Sequence, residues 1–152
     1  MKLEFLMEYS ARLRSGGEPI GRGPLGTRRV AVVEGGEFEG PRLRGTLAPS
    51  GGDWLLQDDR GVTRLDVRAT FATDDGAYIY AQYFGIACPP ESGQPRLGGR
   101  RATAYGERYF MTAPRFETGD ERYAWLNDLV CVAEGRATED GVAYRVYAVT
   151  ND

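Results

Sequence analysis

Asp66 and Arg68 on one arm of a hairpin, and Tyr80 and Gln82 on the other, offer a carboxylate, a guanidinium, a phenol and an amide close together. Between them, Asp74-Asp75-Gly76 suits a three-residue hairpin loop with Gly76 left-handed, a geometry that pairs Thr73 with Ala77. This register sets Thr70 opposite Tyr80, Arg68 opposite Gln82 and Asp66 opposite Phe84 on one face. The other face is apolar: Val67, Ala69, Phe71, Ile79, Ala81 and Tyr83. In an open sheet the polar face is simply the wet side. Inside a closed barrel it is acid–base machinery, with Arg68 keeping Asp66 ionised or burial raising its proton affinity into the range of a general base.

Two further stretches carry candidate groups. Gly51-Gly52-Asp53-Trp54 reads either as a turn followed by a core tryptophan, or as an aromatic wall (Trp54) with Asp53 at the mouth of a pocket. In residues 109–128, Thr118-x-x-Glu121 has the form of a capping box and predicts a helix of about two turns over 120–127. Tyr123, Leu126 and Asn127 then share a side while Trp125 points elsewhere, and Tyr109 and Phe110 sit on a strand that Pro114 ends. Such a helix plugs a barrel opening, or rims it with Arg115, Glu117 and Asn127. Gly21, Gly23 and Gly26 match the letters of a dinucleotide fingerprint, but Pro24 and the strand-like residues after it supply no helix N-terminus for a pyrophosphate.

Composition removes several chemistries. With no histidine in the chain there is no imidazole base, nucleophile partner or ligand. Cys88 and Cys131 lack the paired spacing of a zinc site, so neither metal nor other cofactor is expected. A net charge of -3 and a pI near 5.1 argue against a nucleic-acid partner. Lys2 is the sole lysine among 19 cationic residues; guanidinium favours carboxylates and aromatic faces, although coding bias accounts for the excess equally well. Acidic residues interrupt the apolar N-terminal stretch, and no apolar run reaches the ~20 residues that span a bilayer, so a soluble, cytoplasmic protein with reduced thiols is expected.

The elements follow from period-two alternation. Leu3, Phe5, Met7, Tyr9, Ala11 and Leu13 hold the odd positions of a first strand. Residues 15–26 read as a long loop, 28–40 as strand, and 42–49 and 53–59 as strands flanking a turn at 49–53. A Pro/Gly-rich loop covers 88–107, and a last hairpin turns at Glu139, Asp140 and Gly141. At 152 residues this is one domain, 1–152. Strands joined by turns, with almost no helix, predict an all-β fold: an antiparallel barrel of about eight strands with a central cavity able to hold one small ligand, and one short helix closing an end.

The stretches 35–45, 51–54, 65–80, 109–127 and 144–149 together make the chain resemble the domain-of-unknown-function family numbered 3237, over nearly its whole length. The resemblance implies a single-domain barrel, association as a homo-oligomer, and site residues at Glu39, Asp53, Trp54, Asp66, Arg68, Tyr80, Arg115, Phe116, Glu117, Trp125 and Asn127. It also implies relatives in natural-product pathways, with the Pro/Gly/Arg-rich insertion near 88–107 as this chain's departure. The expected function is therefore cofactor-independent acid–base catalysis on a phenolic or polyketide-like small molecule. Asp66 or Asp53 is the base and Tyr80 or Arg68 steadies the developing anion. Trp54, Phe116 and Trp125 hold a planar ring, with Glu39, Gln82, Tyr109, Arg115, Glu117 and Asn127 as further substrate contacts. The alternatives are a non-catalytic small-molecule binding barrel and a structural oligomer subunit.

Overall fold

Alternating apolar and polar side chains favour pleated strands with one face toward a core, and the described residues form nine of them. In the computed structural model, which describes residues 1–89 and 101–152, these are β1 (Lys2–Leu13), β2 (Glu18–Gly23), β3 (Gly26–Glu39), β4 (Arg44–Gln57), β5 (Thr63–Thr73), β6 (Tyr78–Ala87), β7 (Phe110–Glu117), β8 (Val130–Ala137) and β9 (Gly141–Thr150). All pairings are antiparallel, in the order β1-β9-β8-β7-β6-β5-β4-β3-β2. Pairing of β1 with β3 closes β1 and β3–β9 into an eight-stranded barrel, and β2 is a ninth strand attached to β3. No helix among the described residues is long and apolar enough to cross a membrane.

The β5–β6 hairpin has the register expected from its turn: Asp66 faces Phe84, Arg68 faces Gln82 and Thr70 faces Tyr80, with Gly76 at φ +94°. Its apolar row faces the interior; Val67, Ala69, Phe71, Ile79, Ala81 and Tyr83 are all buried. The polar face is therefore outside the barrel, which corrects the reading of Asp66, Arg68, Tyr80 and Gln82 as lumen residues. Taking a carboxylate and a guanidinium out of water costs several kcal/mol, whereas the apolar row gains by burial. Asp66 and Arg68 accordingly form a loose, largely exposed ion pair at 3.4 Å.

Bulges account for the other departures. In β1 the register shifts between Phe5 and Met7, so Leu3 and Phe5 point outward while Leu6 and Met7 are both buried. Residues 15–26, read as a loop, contain β2. Residues 44–57 form one continuous strand rather than two strands and a turn, because the extra residues at 48–50 are absorbed in a bulge between Leu47 and Gly51.

The end of the barrel near the Thr73–Ala77 turn is filled. Phe71 packs edge-on against Phe38, Tyr9 and Phe116 with centroids 5.1, 5.0 and 5.9 Å away. A 3-10 helix (Glu121–Asp128) covers that end and buries Tyr123 and Leu126. Its cap is Asp120, which accepts from Arg122 N, rather than Thr118, whose hydroxyl donates to Tyr78 O instead. Tyr123 donates to Asp75 at 2.8 Å, tying the helix to the β5–β6 turn.

Gly51, at φ +89°, has the Arg68 carbonyl where a Cβ would lie, whereas Gly76 has open space there. Gly51→Ala is expected to cost at least about 2 kcal/mol in chemical denaturation and Gly76→Ala about 1 kcal/mol. Equal costs would show that the β4 bulge does not demand glycine.

Candidate functional site

The opposite end of the barrel is open and leads into a cavity of about 450 Å³. Its walls are mostly apolar, including Val33, Leu55, Leu65, Val67 and Phe110, and its inward polar groups are Asp53, Tyr83, Tyr144, Arg29 and Arg108. Glu139, Asp140 and the Arg14–Glu34 pair lie at the rim.

Asp53 is placed by the strand period. It lies opposite Ala31 on β3 and Val67 on β5, two inward residues, and so itself faces the cavity. The β4–β5 ladder pairs Asp53 with Val67 and resumes only at Leu56 with Arg64. Within that gap the Asp66 N–H donates to Asp53 Oδ1 at 2.9 Å, and the Trp54 carbonyl accepts from Arg28 Nη1 at 2.7 Å. The Asp53 carboxylate thus stands in for a backbone carbonyl in the sheet. Burial pushes its pKa up to about 7, with the Asp66 charge adding to the rise and the Asp66 N–H and Arg28 opposing it.

Beside it, three buried phenols form a cluster. Tyr9 donates to the Tyr83 hydroxyl at 2.9 Å, and the Tyr144 ring packs beside both. The ring of Tyr144 lies 5.0 Å from that of Tyr9 and 5.7 Å from that of Tyr83. Burial raises all three phenol pKa values, and the Asp53 charge adds to the rise at Tyr83 and Tyr144, so the hydroxyls stay protonated as donors. Arg108 completes the polar set, its guanidinium 5.0 Å from the Phe110 ring centroid.

Of the residues singled out by sequence, Asp53 is the one that lines this cavity. Trp54, its neighbour, points outward beneath Arg68, 6.0 Å from the ring centroid. Gln82 and Arg115 face each other on the outer surface, as do Tyr80 and Glu117. Tyr109 is exposed, and Glu39 is exposed at the end of β3 opposite Arg44. Phe116 is core at the filled end. Trp125 lies there too, under the Arg42 guanidinium at 3.6 Å, and Asn127 hydrogen-bonds both backbone groups of Thr118. The helix and the cavity mouth are therefore at opposite ends, and the reading of Arg115, Glu117, Trp125 and Asn127 as a rim is corrected accordingly. Residues 90–100 of the expected 88–107 loop lie outside the described residues; nearby, Tyr105 donates to Glu8 at 3.2 Å and packs under Arg145.

Sequence reasoning missed Tyr9, Tyr83, Tyr144 and Arg108 as a group. Tyr83 had an available signal: it is a phenol within a purely apolar row, and a buried hydroxyl requires a partner.

The family model described as "Protein of unknown function (DUF3237)" matches residues 1–149. The chain belongs to that family. A UPF0311 protein of Rhodopseudomonas palustris is 30% identical over 151 residues, which cover 98% of this chain and 97% of the relative. The crystal structure of a beta-barrel like protein from Acinetobacter baumannii superposes with a TM-score of 0.84 at 29% identity, over 98% of this chain and 96% of that one. An enzyme from Penicillium herquei matches with a TM-score of 0.71 at 20% identity, over 98% of this chain and 94% of that one, a likeness of fold alone.

Because Asp53 binds its proton more tightly in the folded than in the unfolded chain, its contribution to stability is complete below about pH 4 and is lost as pH rises through about 7. Asn at this position can still accept from Asp66 N and never ionises. Asp53→Asn is thus expected to be more stable than the parent at pH 8, by up to about 4 kcal/mol, with the gap narrowing below pH 7 and closing near pH 4. Parallel melting curves across that range would contradict the burial-raised carboxyl.

Proposed function

We propose that the protein is an enzyme that performs acid–base chemistry in the barrel cavity on a phenolic or polyketide-like small molecule. The observation that carries this reading is the Asp53 carboxyl, facing an apolar cavity next to protonated tyrosines, with a pKa near 7. Ionised Asp53 takes a proton from a phenol, enol or activated carbon. The resulting anion adds to an electron-poor carbon of the same molecule, or shifts its double bond. Tyr83, whose oxygen already accepts from Tyr9, has its own proton to offer to the oxyanion that develops. The proton taken by Asp53 returns to carbon at the end, so cyclisation, intramolecular addition and isomerisation all balance using the chain's own groups. The apolar walls exclude water from the anion.

The test is a panel of phenols carrying a conjugated enone, followed for isomer formation. Asp53→Asn is expected to lower kcat by about 10²- to 10⁴-fold with substrate affinity retained, and Tyr80→Phe, on the outer surface, to leave kcat unchanged. Binding of panel members without turnover by the parent protein would favour a binding barrel instead, and undiminished turnover in Asp53→Asn would remove Asp53 as the base.

The reading includes a homo-oligomer, supported by outward apolar side chains on adjoining strands: Phe5 against Tyr147, Leu3 and Val130 on either side of Val149, and Ile86 against Met111. Light scattering is expected to give a multiple of 16.8 kDa, reduced by Phe5→Glu; a monomeric parent would rule the association out.

A further inference from the structure

We propose that the cavity selects ligands bearing a carboxylate, which Arg108 grips near the open end while the planar remainder lies toward Asp53 and Tyr83. This deepens the catalytic reading of the cavity and rests on it for the site, not for the chemistry. Most of the ion pairs among the described residues lie on the outer surface. Two arginines that line the cavity are different. Arg29 and Arg108 have no carboxylate partner among the described residues, and Arg108 Nε is buried without a hydrogen-bond acceptor. A buried guanidinium donor left unmet is costly, which an anionic ligand would repair.

The placement is specific. Arg108 lies two residues before β7, and its guanidinium stands over the Phe110 ring, 5.0 Å from the centroid and within cation–π range. Burial lowers the Arg108 pKa, with the Tyr144 phenol close enough to act on it in the opposite sense. Arg108 therefore sits half-buried at the cavity wall, with an aromatic ring and no carboxylate beside it among the described residues. Of the remaining arginine at this end, Arg14 is already engaged by Glu34 at 3.6 Å. The rim acids Glu139 and Asp140 are exposed to solvent, and neither hydrogen-bonds the buried Nε. A planar guanidinium with free N–H groups meets a carboxylate in two parallel hydrogen bonds, which a neutral amide of the same shape does not reproduce.

The probes are 4-hydroxycinnamate and its isosteric neutral amide, 4-hydroxycinnamamide, titrated by calorimetry into the full chain. The acid is expected to bind at least about tenfold more tightly than the amide. Arg108→Gln should bring the acid down to the affinity of the amide while leaving the amide unchanged, and Arg108→Lys, which keeps the charge but loses the fork, should fall between them. Melting temperatures of both variants check that the fold survives, and Lys carries the test if Gln does not fold. Asp53→Asn should keep the preference for the acid even where turnover is lost, which separates failure of the base from failure of the anion site. Equal affinity for acid and amide in the parent, equal loss of both in Arg108→Gln, or binding of neither at millimolar concentration would each overturn the proposal.

Discussion

Everything inside this molecule depends on the hydrogen bonds that join β1 to β3. Without them the nine strands are an open twisted ribbon with two faces in water; with them, one face becomes a sealed interior. The seam is made possible by small residues. Gly36 lies opposite Ala11, where a side chain would meet the Ser10 carbonyl, and Gly35 lies opposite Arg12. A glycine-lined crossing lets the strands approach closely enough to complete the ladder while β3 bends around the barrel.

Once closed, the barrel divides by end. Aromatic rings and the helix fill one half, and smaller residues (Ala31, Val33, Val67, Ala87) leave room in the other. Several of the polar groups in that half meet one another rather than solvent. Tyr9 and Tyr83 share a hydrogen bond, and a carboxyl takes the place of a ladder carbonyl. Their altered proton affinities share one cause, the removal of water by closure.

The sequence made the barrel legible because alternation and turn chemistry are local. The Asp74-Asp75-Gly76 loop set the β5–β6 register, and that register held. The turn does not specify which side of the hairpin faces inward; the energetic preference for burying Val67, Phe71 and Ile79 decides it and leaves the polar row outside. Asp53 was visible as a candidate but not as a barrel-facing residue, since its orientation depends on a bulge at 48–50 that looked like a turn. Tyr9, Tyr83, Tyr144 and Arg108 come from four separate segments, and only closure brings them together; no spacing along the chain contains that information.

A carboxylate that belongs to the ladder has a property that a side chain on a loop lacks. With Oδ1 held by the Asp66 N–H, the Asp53 carboxyl is restrained about its side-chain bonds where it lines the cavity. In the proposed reaction, a base fixed to the wall in this way would meet its substrate from one face only. Handedness in the product would then originate in the sheet itself: the twist of β4 against β5, set by the chirality of the backbone, becomes the chirality of the molecule that leaves.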